Sequence, residues 1–178
     1  YQVLSTSLPL VAGEKQSSSP VMKDMISPME NTVYFLPNSD ARQSQIYFYI
    51  PMGDYNREEN VRREAFNQYI SGGFSGLIMN EIREKNSMAY TAYGFASSRG
   101  LPGAQTYFSG YIGTQNDKAV DAIDLYMKLL TDMPERPGRI DNIKSYLRQS
   151  ALTDHPDSRN LSLRIAEWKR RGYTDDPA

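Results

Sequence analysis

The chain has 178 residues, enough for one ordinary domain with a real core or for one half of a duplicated architecture. Twenty Lys+Arg against 21 Asp+Glu leave a net charge of −1, so no basic field argues for a nucleic-acid partner. The absence of cysteine excludes disulfides, thiolate metal sites and a cysteine nucleophile, and the longest apolar run, around Ile46 to Met52, is far too short to span a bilayer.

Tyr1 to about Glu30 is rich in Ser and Pro, with Gly13-Glu14-Lys15-Gln16-Ser17-Ser18-Ser19-Pro20 at its centre. Without sustained periodicity it reads as linker or peripheral wrapping, and residues 31–178 as the folded unit. The first residue is Tyr rather than Met, so the chain is read as part of a longer soluble polypeptide, and the missing signal peptide carries no information. Asn31 to Pro37 and Ser44 to Met52 are strand candidates separated by the polar run Asn38 to Arg42. In the second, Ile46, Phe48 and Ile50 alternate with Tyr47 and Tyr49, which gives one apolar and one aromatic face. Pro51 and Gly53 are expected to end it.

Arg57 to Ser71 reads as a helix with Val61, Ala65 or Phe66, Gln68 or Tyr69, and Ile70 as its buried stripe. Gly72-Gly73 stops it, since glycine takes the left-handed cap conformation at no steric cost. A short amphipathic helix follows at once, carrying Phe74, Leu77, Ile78 and Ile82 on one face and Arg83 near its last turn, where a cation suits the helix dipole. Asn86 and Ser87 supply turn chemistry before the pattern switches to strand at Ala89. Arg83 and Tyr90 thus flank a helix-to-strand corner from which both side chains can leave by the same edge.

Ala89 to Ser98 and Ala104 to Thr114 form a hairpin around Arg99-Gly100-Leu101-Pro102-Gly103. Ala92, Gly94, Ala96 and Gly110 make one face small enough for close helix packing, while Tyr93, Tyr107 and Tyr111 join Tyr47 and Tyr49 on the other. A half-buried sheet face explains such a tyrosine row; a peptide lying along an exposed strand edge is the functional alternative. Asn116 is a candidate N-cap for a long helix with Val120, Ile123, Met127 and Leu130 as its stripe. Pro134 and Pro137 separate this from a helix bearing Ile140, Ile143 and Leu147. Leu152 to Ser158 reads as a loop, and Ser158 or Asn160 caps a last helix with Leu161, Ile165 and Trp168. The order predicts an α+β domain with a mainly antiparallel sheet and helices packed on one side.

The ordered run Gly72-Gly73-Phe74-Ser75, Leu77, Glu81-Ile82-Arg83-Glu84-Lys85 and Met88-Ala89-Tyr90 resembles the insulinase, pitrilysin and mitochondrial-processing-peptidase family of zinc metallopeptidases. The likeness is to the non-catalytic domain of that family and extends from about Asn31 to Gly172. Catalytic domains of the family carry the inverted motif His-x-x-Glu-His. This chain has a single histidine, His155, in a loop beside Pro156, so no metal is placed in it. The pairs Glu58-Glu59 and Asp175-Asp176 are adjacent and do not face one another on a helix, so they read as solvated surface. Lys169-Arg170-Arg171 complements a helix C-terminus, and Gly72-Gly73 lacks the Gly-Lys-Ser/Thr of a phosphate loop.

The resemblance implies that Arg83 and Tyr90 reach a zinc centre in a companion His-x-x-Glu-His domain, of the same polypeptide or a separate subunit. There they would hold the backbone of a peptide substrate and stabilise the oxyanion. Both are hydrogen-bond donors, as that role needs. The bland reading pairs Arg83 with a surface carboxylate and leaves Tyr90 to cap the sheet edge. Two rival functions stay open: a structural or peptide-binding scaffold module, and a small-molecule-binding domain for which no cofactor motif speaks.

Overall fold

The computed structural model describes residues 26–177; residues 1–25 of the expected linker, and the side chain of Phe74, lie outside the described residues. In chain order the elements are β1 (Ser44–Asp54), α1 (Asn60–Ser71), a π-helix (Met79–Lys85), β2 (Thr91–Ser98), β3 (Gln105–Thr114), α2 (Ala119–Thr131), α3 (Pro137–Thr153) and α4 (Leu161–Arg170). The strands form an antiparallel sheet in the order β1-β3-β2, which makes the domain α+β.

Alternation along the strands sorts the two faces. Ala92, Ala96, Phe108 and Ile112 are buried under the helices with Ile70, Ile78, Ile82, Ala122, Tyr126 and Leu129. The other face carries the tyrosines as an interleaved ladder, with ring centroids 5.1 Å apart for Tyr47–Tyr111, 5.2 Å for Tyr93–Tyr111 and 5.5 Å for Tyr49–Tyr107. Close helix packing comes from one register pair, Gly94 opposite Gly110. A Cβ at either position would overlap the Tyr126 hydroxyl, which enters this notch from α2 and donates to the Tyr93 carbonyl (2.9 Å). The outer edge of β2 is satisfied by α1: Asn67 exchanges two side-chain hydrogen bonds with Ala96, and the Gly94 N–H donates to the Ser71 hydroxyl (2.9 Å). An unpaired strand edge is thereby closed without a fourth strand.

Several expectations need correction. Residues 31–37 form no strand: Val33, Tyr34, Phe35 and Leu36 are all more than four-fifths exposed, because strand propensity yields a strand only where another edge supplies the ladder. Pro51 and Gly53 do not end β1, which runs to Asp54 through an irregularity in its pairing between Pro51 and Asp54. Proline is tolerated there because β1 pairs on one side only. The first helix begins with a 3-10 turn over Arg57–Glu59, and Val61 is 63% exposed instead of buried. Asn116 caps no helix; its side chain accepts from the Ser44 hydroxyl (2.9 Å) and donates to the Ala41 carbonyl (3.3 Å), holding the entry to β1. On α2 the buried residues are Ala122, Tyr126 and Leu129, whereas Val120 is 68% and Met127 39% exposed. Helix α3 continues through Thr153, so the following loop starts at Asp154 and not at Leu152.

Candidate functional site

The Gly72-Gly73 junction sets the direction of the stretch that carries the candidate site. Gly73 takes φ +59°, a 3-10 turn spans Gly73–Ser75, and the chain re-enters helix at Leu77. Leu77, Ile78 and Ile82 are fully buried, which fixes this helix against the sheet. Its winding is π over Met79–Lys85 where the sequence suggested ordinary α-helix. The widened turn continues past its end: the Asn86 side-chain amide donates to the Glu81 carbonyl (2.6 Å) and the Met88 N–H to the Ile82 carbonyl (2.9 Å). Such π segments recur at functional sites because they turn side chains away from the α-helical register. The helix is also held from behind. The Glu81 carboxylate, mostly buried, accepts from Lys85 (2.8 Å) and from Arg136 in the α2–α3 loop.

At the far end the backbone reverses at Ser87, which adopts φ +51°. Its N–H donates to the Arg83 carbonyl (3.0 Å). Among the described residues Ser87 is alone in taking positive φ without being glycine, and such conformations persist where the surroundings over-determine them. The end of β3 then grips the corner: the Tyr90 N–H donates to the Gly113 carbonyl (2.9 Å), the buried Thr114 hydroxyl donates to the Met88 carbonyl, and Gln115 Nε2 donates to Tyr90 Oη (3.1 Å).

These constraints open a cleft of about 320 Å³ between the end of the π-helix and the start of α2. Arg83, Glu84 and Ser87 to Tyr90 line one side; Gln115 and Lys118 line the other. Both residues singled out from the sequence therefore border one opening. The Arg83 side chain is about half exposed, with its Nε 3.7 Å from the Glu84 carboxylate, and Tyr90 is 54% exposed. Its Nη1 also donates to the Met79 sulfur (3.9 Å), a weak acceptor, and an exposed ion pair as long as that to Glu84 binds a guanidinium weakly, so neither contact holds the fork firmly against a ligand. Lys118 adds a second cation, its Nζ 3.4 Å from the Ser87 carbonyl. Gln115 and Lys118 were not singled out in the sequence. Nothing local marks them: they meet Tyr90 and Ser87 across 25 and 31 residues of chain, through the β3–α2 junction.

The other charged candidates stay apart from this cleft. Glu58 and Glu59 are exposed in the 3-10 turn before α1, Asp175 and Asp176 are exposed in the tail, and Arg171 pairs with Glu167 across one helical turn (2.5 Å). His155 is exposed in the loop after α3. Among the described residues no group of three or more His, Cys, Asp or Glu side chains is placed to hold a metal ion.

The family model described as the Peptidase M16 inactive domain matches residues 13–144. The chain belongs to this family. As an M16 inactive domain it is non-catalytic, in agreement with the resemblance carried by the stretch from Gly72 to Tyr90. Among curated proteins none matches. Two solved structures share the fold: the peptidase M16 inactive domain from Pseudomonas fluorescens, with TM-score 0.54 and 17% identity over 74% of this chain and 31% of that one, and a protease from Helicobacter pylori, with TM-score 0.58 and 16% identity over 76% of this chain and 33% of that one. The chain thus spans about a third of the length of each. No helix among the described residues is long and apolar enough to cross a membrane.

Proposed function

We propose that this M16 inactive domain closes the substrate chamber of a zinc metallopeptidase and presents Arg83 and Tyr90 to a peptide held at the catalytic centre of its companion. One observation carries the reading: a guanidinium and a phenol, set by a π-helix and a strained turn, border the same open cleft. Zinc bound by the companion's His-x-x-Glu-His motif would polarise the scissile carbonyl and activate water. The part of this chain is to hold and to donate. Arg83 offers planar N–H donors to the peptide backbone, and Tyr90 offers a hydroxyl proton to the oxygen on which negative charge develops. Donors fixed beforehand stabilise that charge without reorganising during the reaction.

The test uses this chain assembled with its companion catalytic domain and short internally quenched peptides of mixed sequence. Arg83→Ala should lower turnover by on the order of 10²-fold, as removal of an oxyanion donor does. Arg83→Lys should restore part of it, since a point charge cannot reproduce the fork. Thermal midpoints should stay close to wild type, because the ion pair with Glu84 is exposed and long. Wild-type turnover per folded molecule in Arg83→Ala and in Tyr90→Phe would overturn the reading and leave a scaffold module without catalytic contribution.

A further inference from the structure

We infer that Gln115 is a positioning residue that commits the Tyr90 hydroxyl to donating into the cleft, an inference that rests on the clamping role proposed above. A phenol oxygen both accepts and donates, and its proton prefers one of two positions in the plane of the ring. A tyrosine standing free at a sheet end would divide its proton between water and substrate in either position. Tyr90 does not stand free: Gln115 Nε2 donates to its oxygen at 3.1 Å. With one lone pair occupied by an amide N–H, the phenol proton is left for another acceptor, and the Tyr90 ring stands at the lining of the cleft. The hydrogen bond received also polarises the O–H and makes it the better donor.

The arrangement is held at both ends. Gln115 opens the turn into α2 with its own carbonyl accepting from the Lys118 N–H (3.1 Å), and it directly follows Thr114, which is fully buried and bonded to Met88. Tyr90 is tied through its N–H to Gly113, two residues before Gln115. Backbone and side chain of Tyr90 are therefore referenced to the last residues of β3 and the one that follows them. Neither glutamine nor tyrosine has a role in the core here, since both side chains are exposed.

Gln115→Glu isolates the donor role, because a carboxylate can only accept and would take the Tyr90 proton for itself. In the assembled enzyme, with the same quenched peptides, Gln115→Glu should lower kcat about as far as Tyr90→Phe does, with KM within about twofold of wild type. Gln115→Ala, which merely frees the phenol, should lower kcat by about five-fold, the worth of one hydrogen bond. Activity of Gln115→Glu relative to wild type should recover as pH falls towards about 4.3, where a glutamic acid regains a proton to donate. In a Tyr90→Phe background both Gln115 substitutions should have no further effect on kcat. Wild-type kcat in both Gln115 variants, beside a clear loss in Tyr90→Phe, overturns the role of Gln115 and leaves the clamp standing. Wild-type kcat in Tyr90→Phe itself overturns the clamp, and the positioning role with it.

Discussion

Gly73 and Ser87 sit at the two ends of the segment that carries Arg83, and both take positive φ, +59° and +51°. They turn the chain into the π-helix and out of it towards Tyr90, so the direction of the site is fixed by two single-residue conformations. At Gly73 a Cβ would meet no heavy atom within 4 Å, so a substitution there tests backbone strain without a steric clash. Gly73→Val should cost more than about 1 kcal/mol, because a β-branched residue resists the left-handed region. Gly73→Asn should cost less, since asparagine visits that region more readily. Denaturant melts of both variants measure the difference, and an unchanged midpoint in Gly73→Val would mean that the junction tolerates an ordinary backbone. A positive φ within the Gly72-Gly73 pair was legible in the sequence, because a glycine pair between two apolar periodic segments has few other uses; that it falls on Gly73, with Gly72 at φ −66°, was not. The one at Ser87 was legible only as turn chemistry, since serine is common at turns of many kinds.

Between elements, the decisive contact is the seating of α2 on the sheet. The Tyr126 hydroxyl fills the notch that Gly94 and Gly110 leave, and its ring stacks on Phe48 at a centroid distance of 4.3 Å. Filling the notch from the sheet side should displace the helix. Gly110→Ala is expected to destabilise by about 1–3 kcal/mol, the range for overpacking a well-filled site. Gly138→Ala, in the first turn of α3 where a Cβ meets nothing within 4 Å, should be neutral or slightly stabilising. Equal melting behaviour of the two variants would contradict the wedge. That α2 exists was plain from the spacing of its apolar residues. Which of its faces turns inward was not, because apolar residues lie on more than one side of Ala119–Thr131, and the notch selected the face with tyrosine.

For the molecule as a whole, tyrosines set the response to alkali. Burial, with the nearby Tyr93, holds the Tyr126 hydroxyl well above the ordinary tyrosine range. Burial, followed by a hydrogen bond with Tyr55, pushes Tyr173 up to about 12. A pKa raised on folding means that the native state keeps its proton longer than the unfolded chain does. The resulting stability is complete below about pH 10, where unfolded tyrosine titrates, and is lost as pH climbs from there through the native values. Denaturant midpoints should therefore be level from about pH 8 to about 9.5 and fall above about 10. Tyr173→Phe should flatten part of that fall with little change near neutrality. A midpoint that stays level through about pH 11 would contradict the linkage.

The sequence by itself determined the α+β class, through period-2 runs followed by periods of three and four, and the hairpin around Gly100 to Gly103. By composition alone it also excluded a thiolate site and the His-x-x-Glu-His motif from this chain. It pointed to Arg83 and Tyr90 because they fall in an ordered motif read within nineteen consecutive residues, Gly72 to Tyr90. Only the tertiary structure decided matters that depend on residues far apart in the chain. The run Asn31 to Pro37 reads as a strand in the sequence yet pairs with no strand among the described residues, because a ladder needs a second edge and propensity cannot supply one. The π winding of Met79–Lys85 goes with burying Leu77, Ile78 and Ile82 together while Asn86 and Met88 bond back across the wider turn. Gln115 and Lys118 joined the cleft because β3 delivers its C-terminal end beside Tyr90, a juxtaposition made by strand register rather than by any local pattern.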